Sequence, residues 1–377
     1  MDKFGYYQVG EHKFYSKLEA AHLRDSTSLP MTWNFNELAF SACRWDIEPD
    51  QSLEELYRQR AQQLRDQYDY LVLWFSGGAD SMNILDSFID NDIKLDEVAS
   101  YVNYEATGDR FNFLNGEIFN VAVPKIEQVK QKQPGIKHTI LDLTKLTLDY
   151  FTAKETKFDW VYHINGYVNP NCVSKQDIKL KVPEWRNMIS SGKRVCFIYG
   201  LDKPRVTGIN GKFYFRFVDF VDNAVTANVQ MLNRPWDFDE LFYWTADLPE
   251  IVIKQAHVVK RFLKQATPTT PYVTINNTGL VSTVINKKLH WLTLDGVNQL
   301  VYPKWKPVLY QAKAPSIFFT PRDEWFFNLP DSDPAKYSWR IGLEHLWKIT
   351  PDNLKRDSNK IERGFRPFNS KIYEIGT

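Results

Sequence analysis

Six consecutive residues, Ser76-Gly77-Gly78-Ala79-Asp80-Ser81, carry the strongest chemical signal in the chain. A phosphate chain needs backbone N–H groups close to it, small residues that let the main chain approach, and hydroxyls as further donors. The segment supplies all three, and Asp80 adds a carboxylate where a divalent cation on phosphate needs a ligand. The plainer reading of the same residues is an ordinary strand-to-helix turn. GxxxxGKS/T and GxGxxG are both absent, so the turn does not read as a kinase, GTPase or dinucleotide site. A second chemical stretch is Gly200-Leu201-Asp202-Lys203-Pro204-Arg205. It sets a carboxylate for metal (Asp202), a compact cation (Lys203) and a guanidinium (Arg205) after an apolar run. These types suit phosphate chemistry at the end of a strand; the alternative is a solvated turn.

Other candidates are more ambiguous. Lys254, His257 and Arg261 share one face of a helical segment at i, i+3 and i+7. Lys254 and His257 are candidates to hold an acidic or phosphorylated substrate, whereas Arg261 reads as solvent-facing. Tyr104-Glu105 and nearby Arg110 end a strand-like run. Lys304, Lys306, Lys313 and Arg322 interleave with Tyr302, Trp305, Tyr310, Phe318 and Trp325, a mixture that suits nucleic acid or nucleotide stacking as well as plain structural aromatics. The histidines show no metal spacing and HExxH is absent.

The elements that position these residues are legible in outline. YLVLWF (70–75) is a short, wholly apolar run that feeds SGGADS and then MNILDSFID at helical spacing, as a buried parallel strand does. Strands are expected at 97–105, 137–143 and 193–203, with a helix at 115–132 that carries a proline near its middle. This alternation predicts an α/β fold with a parallel sheet and flanking helices. Ser52 and Glu55 predict a capping box opening a helix at 50–68. Asn210-Gly211 predicts a type I′ hairpin within 205–220. Pro249 opens a helix at 249–265. The chain therefore divides into an N-terminal extension and cap (1–68), the α/β domain (69–222) and an aromatic-rich C-terminal region (223–377).

Composition narrows the function classes. Of 377 residues, 47 are Lys or Arg and 46 Asp or Glu, and the net charge of +1 excludes a globally basic nucleic-acid wrapper or an acidic tail protein. The three cysteines, Cys43, Cys172 and Cys196, encode neither a disulfide framework nor a metal knuckle. The first residues lack a signal-peptide apolar stretch, and no run of 18 apolar residues occurs. The expectation is a soluble, cytoplasmic chain with no membrane partner.

VLWFSGGADS resembles the PP-loop of the N-type ATP pyrophosphatases, which have a HUP-like α/β fold and a hydrophobic strand followed by SGGxDS. Ser76, Gly77, Gly78, Asp80 and Ser81 match that pattern, and the resemblance spans residues 66–205. Asparagine, GMP, NAD and argininosuccinate synthetases, tRNA-modifying enzymes, deazaguanine synthases and sulfonucleotide reductases share it. The resemblance implies that the loop grips the β,γ-pyrophosphate of ATP with Mg²⁺. A substrate oxygen attacks the α-phosphorus, pyrophosphate leaves, and an amine or ammonia takes the adenylated substrate. It places Asp80, Lys203 and Asp202 in catalysis, Asp80 and Asp202 on the metal, and Ser76, Gly77, Gly78, Asp80, Ser81 and Arg205 on the nucleotide. YDY before the strand, GLDKPR and IVIKQAH also look like segments of phage-encoded PP-loop proteins with unassigned substrates.

Departures from the family narrow the choice. No cysteine follows Cys196, no cysteines cluster for zinc or a persulfide, and Asp2 rather than cysteine follows Met1. These exclude the reductase pattern and a built-in glutaminase, and argue against thiolation. An ATP-dependent ligase acting on an unidentified acceptor remains. The alternatives are a nucleotide-, tRNA- or DNA-base-modifying enzyme of the same fold, and a non-catalytic nucleotide-binding protein.

Overall fold

A computed structural model describes residues 3–110, 113–153, 159–164, 168–175, 178–201, 203–219, 239–265, 280–285, 288–306, 323–357 and 365–377. At the N-terminus, β1 (Tyr6–Val9) pairs antiparallel with β2 (His12–Phe14) and with β3 (Met31–Asn34), and α1 (Lys17–Thr27) connects β2 to β3. Helix α2 (Leu53–Gln67) opens on the expected capping box, in which Ser52 Oγ accepts from the Glu55 N–H and the Glu55 carboxylate accepts from the Ser52 N–H.

The central layer follows. β4 (Tyr70–Trp74) leads into α3 (Ala79–Ile89), and β5 (Glu97–Val102) is followed, after three short helical segments, by α4 (Val123–Lys132). β6 (Lys137–Asp142), α5 (Thr144–Ala153), α6 (Pro183–Ser190) and β7 (Val195–Tyr199) come next. β8 (Arg205–Ile209) and β9 (Lys212–Arg216) form the hairpin, and Asn210 and Gly211 both have positive φ (51° and 79°), as a type I′ turn requires. β10 (Asp239–Leu241), α7 (Glu250–Gln265), the β11 (Leu280–Ile285) and β12 (Lys288–Thr293) hairpin, α8 (Leu294–Val301), α9 (Pro334–Ile349) and β13 (Tyr373–Glu374) follow, and several short helical turns lie between these elements.

Five strands build one parallel sheet in the order β10-β7-β4-β5-β6. The chain runs outward through β4, β5 and β6, then crosses back to place β7 on the other side of β4. The switch point between β4 and β7 opens a crevice at their C-terminal ends, where sheets of this kind bind ligands. Both strands are apolar throughout because helices flank the sheet: Leu71, Val72 and Leu73 are fully buried, as are Val195, Cys196 and Ile198.

Three readings of the sequence need correction. The second strand stops at Val102, and Tyr104–Thr107 is a helical turn. The helix expected at 115–132 is interrupted by a π-helical turn, Ile118–Ala122, after which Pro124 falls in the first turn of α4, where a missing N–H costs nothing. The sheet also draws on both sides of residue 222, since β10 pairs with β7. Buried residues from all three expected regions join one core, in which Phe35, Trp45, Phe217 and Trp244 interlock. Among the described residues, no helix is long and apolar enough to cross a membrane.

Candidate functional site

The turn after β4 folds tightly upon itself. Gly77 has φ +81°, and a Cβ there would lie 3.2 Å from the Ala122 nitrogen in the π-helical turn. Gly78 precedes α3, its N–H donates to Ser76 Oγ (3.2 Å), and the Ser81 hydroxyl donates to the Gly78 carbonyl (3.1 Å). A side chain at Gly78 would approach Ser76 Oγ at 3.2 Å and the Glu117 carboxylate at 3.4 Å. The turn therefore presents main chain, not side chain, at the positive end of α3.

Pairing of β4 with β7 brings the turn after β7 alongside. Gly200 lies against Asp80: its Cβ would meet the Asp80 Cβ at 3.1 Å and the Asp80 carbonyl carbon at 3.3 Å. Immediately past the undescribed position 202, the Lys203 ammonium grips both Asp80 oxygens at 2.6 and 2.8 Å. Lys203 is buried, whereas the Asp80 side chain keeps 22% exposure toward the cleft. The Tyr302 hydroxyl donates to the same Asp80 carboxylate. The Tyr243 hydroxyl donates to the Asp80 carbonyl (2.8 Å) and accepts from Asn83 (3.0 Å). Burial, and then the Asp80 charge, pushes the Tyr302 phenol well above its ordinary pKa; burial does the same for Tyr243. Both therefore remain protonated donors. The sequence offers Tyr302 only as one of several stacking aromatics and gives no signal for Tyr243, because only the fold brings them to residue 80.

The cleft beside the loop has a volume of about 250 Å³. Its floor is a row of rings across three adjacent strands: Tyr101 of β5, Trp74 of β4 and Tyr199 of β7, with Trp74 stacked on Tyr101 at 4.7 Å. Glu117 and Lys175 complete the walls. A separate cavity of about 500 Å³ lies along α3, lined by Met82, Lys125 and Trp305, and Tyr302 stands at its edge as well. Lys304 there pairs with Asp90 at 2.7 Å.

The structure thus brings Ser76, Gly77, Gly78, Asp80, Ser81 and Lys203 together. It does not gather the rest. Lys254 pairs with Glu48 at 2.8 Å and donates to the Pro49 carbonyl, while His257 bonds the Trp45 carbonyl at 2.9 Å. These two, and Arg261 with Glu48, fasten α7 to the N-terminal segment instead of facing the loop. Burial holds the His257 imidazole below its ordinary pKa. Arg205 begins β8 directly opposite Arg216 and does not line the cleft. Arg110 stacks over Phe119, and the Glu105 N–H binds Asp142. Asp202, Tyr310, Lys313, Phe318 and Arg322 lie outside the described residues.

Among the described residues no cluster of three or more His, Cys, Asp or Glu side chains could cage a metal. Mg²⁺ needs less, since it keeps several waters and takes one or two carboxylates together with substrate phosphates. Asp80 and Glu117 are the two carboxylates that line the cleft among the described residues, and Asp80 is already held by Lys203 and Tyr302. No protein-family model matches the chain, and a search of curated proteins finds no match either.

Proposed function

We propose that this chain is an ATP-dependent synthetase of the PP-loop kind, which adenylates an acceptor, releases pyrophosphate and passes the activated group to an amine or ammonia. The observation that carries the reading is the Asp80–Lys203 ion pair, formed across the β4/β7 switch point beside a glycine cradle open to backbone donors. In this reading the N–H groups opening α3 bind the β,γ-phosphates, and the acceptor oxygen forms its bond to the α-phosphorus as the bond to the departing pyrophosphate breaks. Asp80 would hold Mg²⁺, which shields the phosphate charge. The ion pair supports an exchange that conserves charge. Asp80 would hold the divalent cation, and Lys203 beside it would pair with phosphate oxygen, where its ammonium would stabilise the charge that grows on the leaving group. Tyr302 and Tyr243 keep residue 80 in place while its partner changes.

Two measurements test this. Calorimetry with a non-hydrolysable ATP analogue should show binding that Gly78→Val or Asp80→Ala weakens tenfold or more, about 1.4 kcal/mol. Labelled ATP should yield AMP and pyrophosphate in the presence of acceptor; accumulation of ADP, or wild-type affinity in both variants, rules the mechanism out.

A further inference from the structure

Three lysines approach the rings and carboxylates around the cleft, and they differ in one respect. Lys203 is neutralised by Asp80, and Lys179, over the Phe197 and Tyr199 rings, is neutralised by Asp239. Lys175 is only 8% exposed and lines the cleft itself, with its ammonium 4.4 Å from the centre of the Tyr101 ring. No carboxylate pairs with it among the described residues. A ring face attracts a cation but does not replace a counter-ion, so an ammonium that meets only a ring and the open cleft is left able to take an anion.

The backbone that carries Lys175 is held by a buried polar network. Asn171 N–H donates to Asp323 (2.9 Å), Asn169 donates to the other Asp323 oxygen (3.0 Å), and Ser174 bonds Thr147 (2.8 Å). Asn171 and Asn103, at the end of β5, exchange side-chain hydrogen bonds at 3.2 and 3.3 Å. The Asn103 N–H in turn binds Asn115, two residues before the Glu117 of the cleft wall. Such a network fixes the lysine in place without neutralising it.

We propose that Lys175 is a second oxyanion site in the cleft, separate from the glycine turn, and seats either the α-phosphate of the nucleotide or an anionic group of the acceptor. The inference rests on the ATP reading of the loop and extends it: the cleft holds two anionic centres, one on the α3 main chain and one on Lys175 above Tyr101.

The test uses the full chain, Lys175→Met and Lys175→Arg, with Mg²⁺ present and with pyrophosphate, AMP, α,β-methylene-ATP and inorganic phosphate as probes. Pyrophosphate, a probe of the turn alone, should bind Lys175→Met within about twofold of wild type, because the substitution leaves the turn intact. If the site takes the α-phosphate, AMP and the ATP analogue weaken tenfold or more, about 1.4 kcal/mol, and Lys175→Arg recovers most of the loss. If it takes the acceptor's anion, both nucleotides hold their affinity, and inorganic phosphate binds analogue-loaded wild type but not analogue-loaded Lys175→Met. In either case Lys175→Met should unfold near the wild-type temperature, since the lysine makes no ion pair among the described residues and its stem can be replaced by an apolar chain of similar length. A lower unfolding temperature would make Lys175 a structural cation and overturn the proposal. So would equal weakening of pyrophosphate and AMP, or binding of every probe as in wild type. Failure of wild type itself to bind pyrophosphate and the analogue is a different pattern; it refutes the ATP reading and this inference with it.

Discussion

Replacing Lys203 by methionine should expose how strongly Asp80 depends on it. At 2.6–2.8 Å the two charges attract by about 6 kcal/mol at an effective dielectric constant of about 20, and desolvation cancels most of that gain. Removing one member of a fully buried pair costs about 3–5 kcal/mol. Asp80 keeps 22% exposure and retains the Tyr302 hydrogen bond, so Lys203→Met should cost about 2–3 kcal/mol, below that range. Asp80→Asn should cost about 3 kcal/mol, because it strands a lysine side chain only 6% exposed. The double variant carries no stranded charge and should lose about 2 kcal/mol, which leaves a coupling energy of about 3–4 kcal/mol. Urea unfolding followed by tryptophan fluorescence measures all four proteins. Additivity of the single variants within about 0.5 kcal/mol would refute the ion pair as the link between the two turns. In turnover, Lys203→Met should slow pyrophosphate release by roughly 10²-fold. ATP affinity should fall less, because the interaction strengthens as charge develops. Unchanged turnover would reduce GLDKPR to a connector into the β8–β9 hairpin.

Gly200→Ala should destabilise by about 1–3 kcal/mol and weaken binding of the ATP analogue, since its Cβ must enter space 3.1 Å from Asp80. Gly135→Ala, with nothing near its Cβ position, is the control, and equal effects in both variants would refute the argument. Tyr302→Phe should cost about 1.5 kcal/mol through the lost hydrogen bond to a carboxylate; a neutral result in the same urea assay would detach Tyr302 from Asp80. Burial lowers the His138 pKa to about 4, so the unfolded chain binds the extra proton first as pH falls. Its stabilising contribution is complete above about pH 6.5, is lost progressively toward pH 4, and amounts to about 2 kcal/mol after allowance for solvent screening. Unfolding free energies at pH 7 and 4.5 should therefore converge in His138→Gln relative to wild type, and an unchanged pH dependence would exclude this histidine.

What could be read from the sequence was local in its physics. A strand covered on both faces must be apolar throughout, and a main chain that approaches phosphate must be small, so YLVLWF-SGGADS announces itself within a dozen residues. Asn210-Gly211 and Ser52/Glu55 are equally self-contained. β10 is not. Asp-Glu-Leu has no strand pattern, and it can be the fifth strand because Lys179 neutralises Asp239 while Arg60 and Tyr68 bind Glu240. Spacing likewise put Lys254 and His257 on one helix face, but only the fold places Glu48 and Trp45 against that face.

The same distinction decides which charges remain for chemistry. Lys175, Lys179 and Lys203 are indistinguishable as residue types, each within a short stretch of mixed polar and apolar sequence. Their partners arrive from far along the chain: Asp239 for Lys179, Asp80 for Lys203, and for Lys175 a tyrosine ring in place of a carboxylate. A buried cation that the fold pairs must leave its counter-ion before it can meet another anion, whereas one without a carboxylate partner need not. On the proposed reading the cleft divides its electrostatics between Lys203, which would exchange partners, and Lys175, which has no carboxylate partner among the described residues. Substitution at Lys203 should therefore act mainly on rate and substitution at Lys175 mainly on affinity, a split that steady-state kinetics of the two methionine variants reads directly.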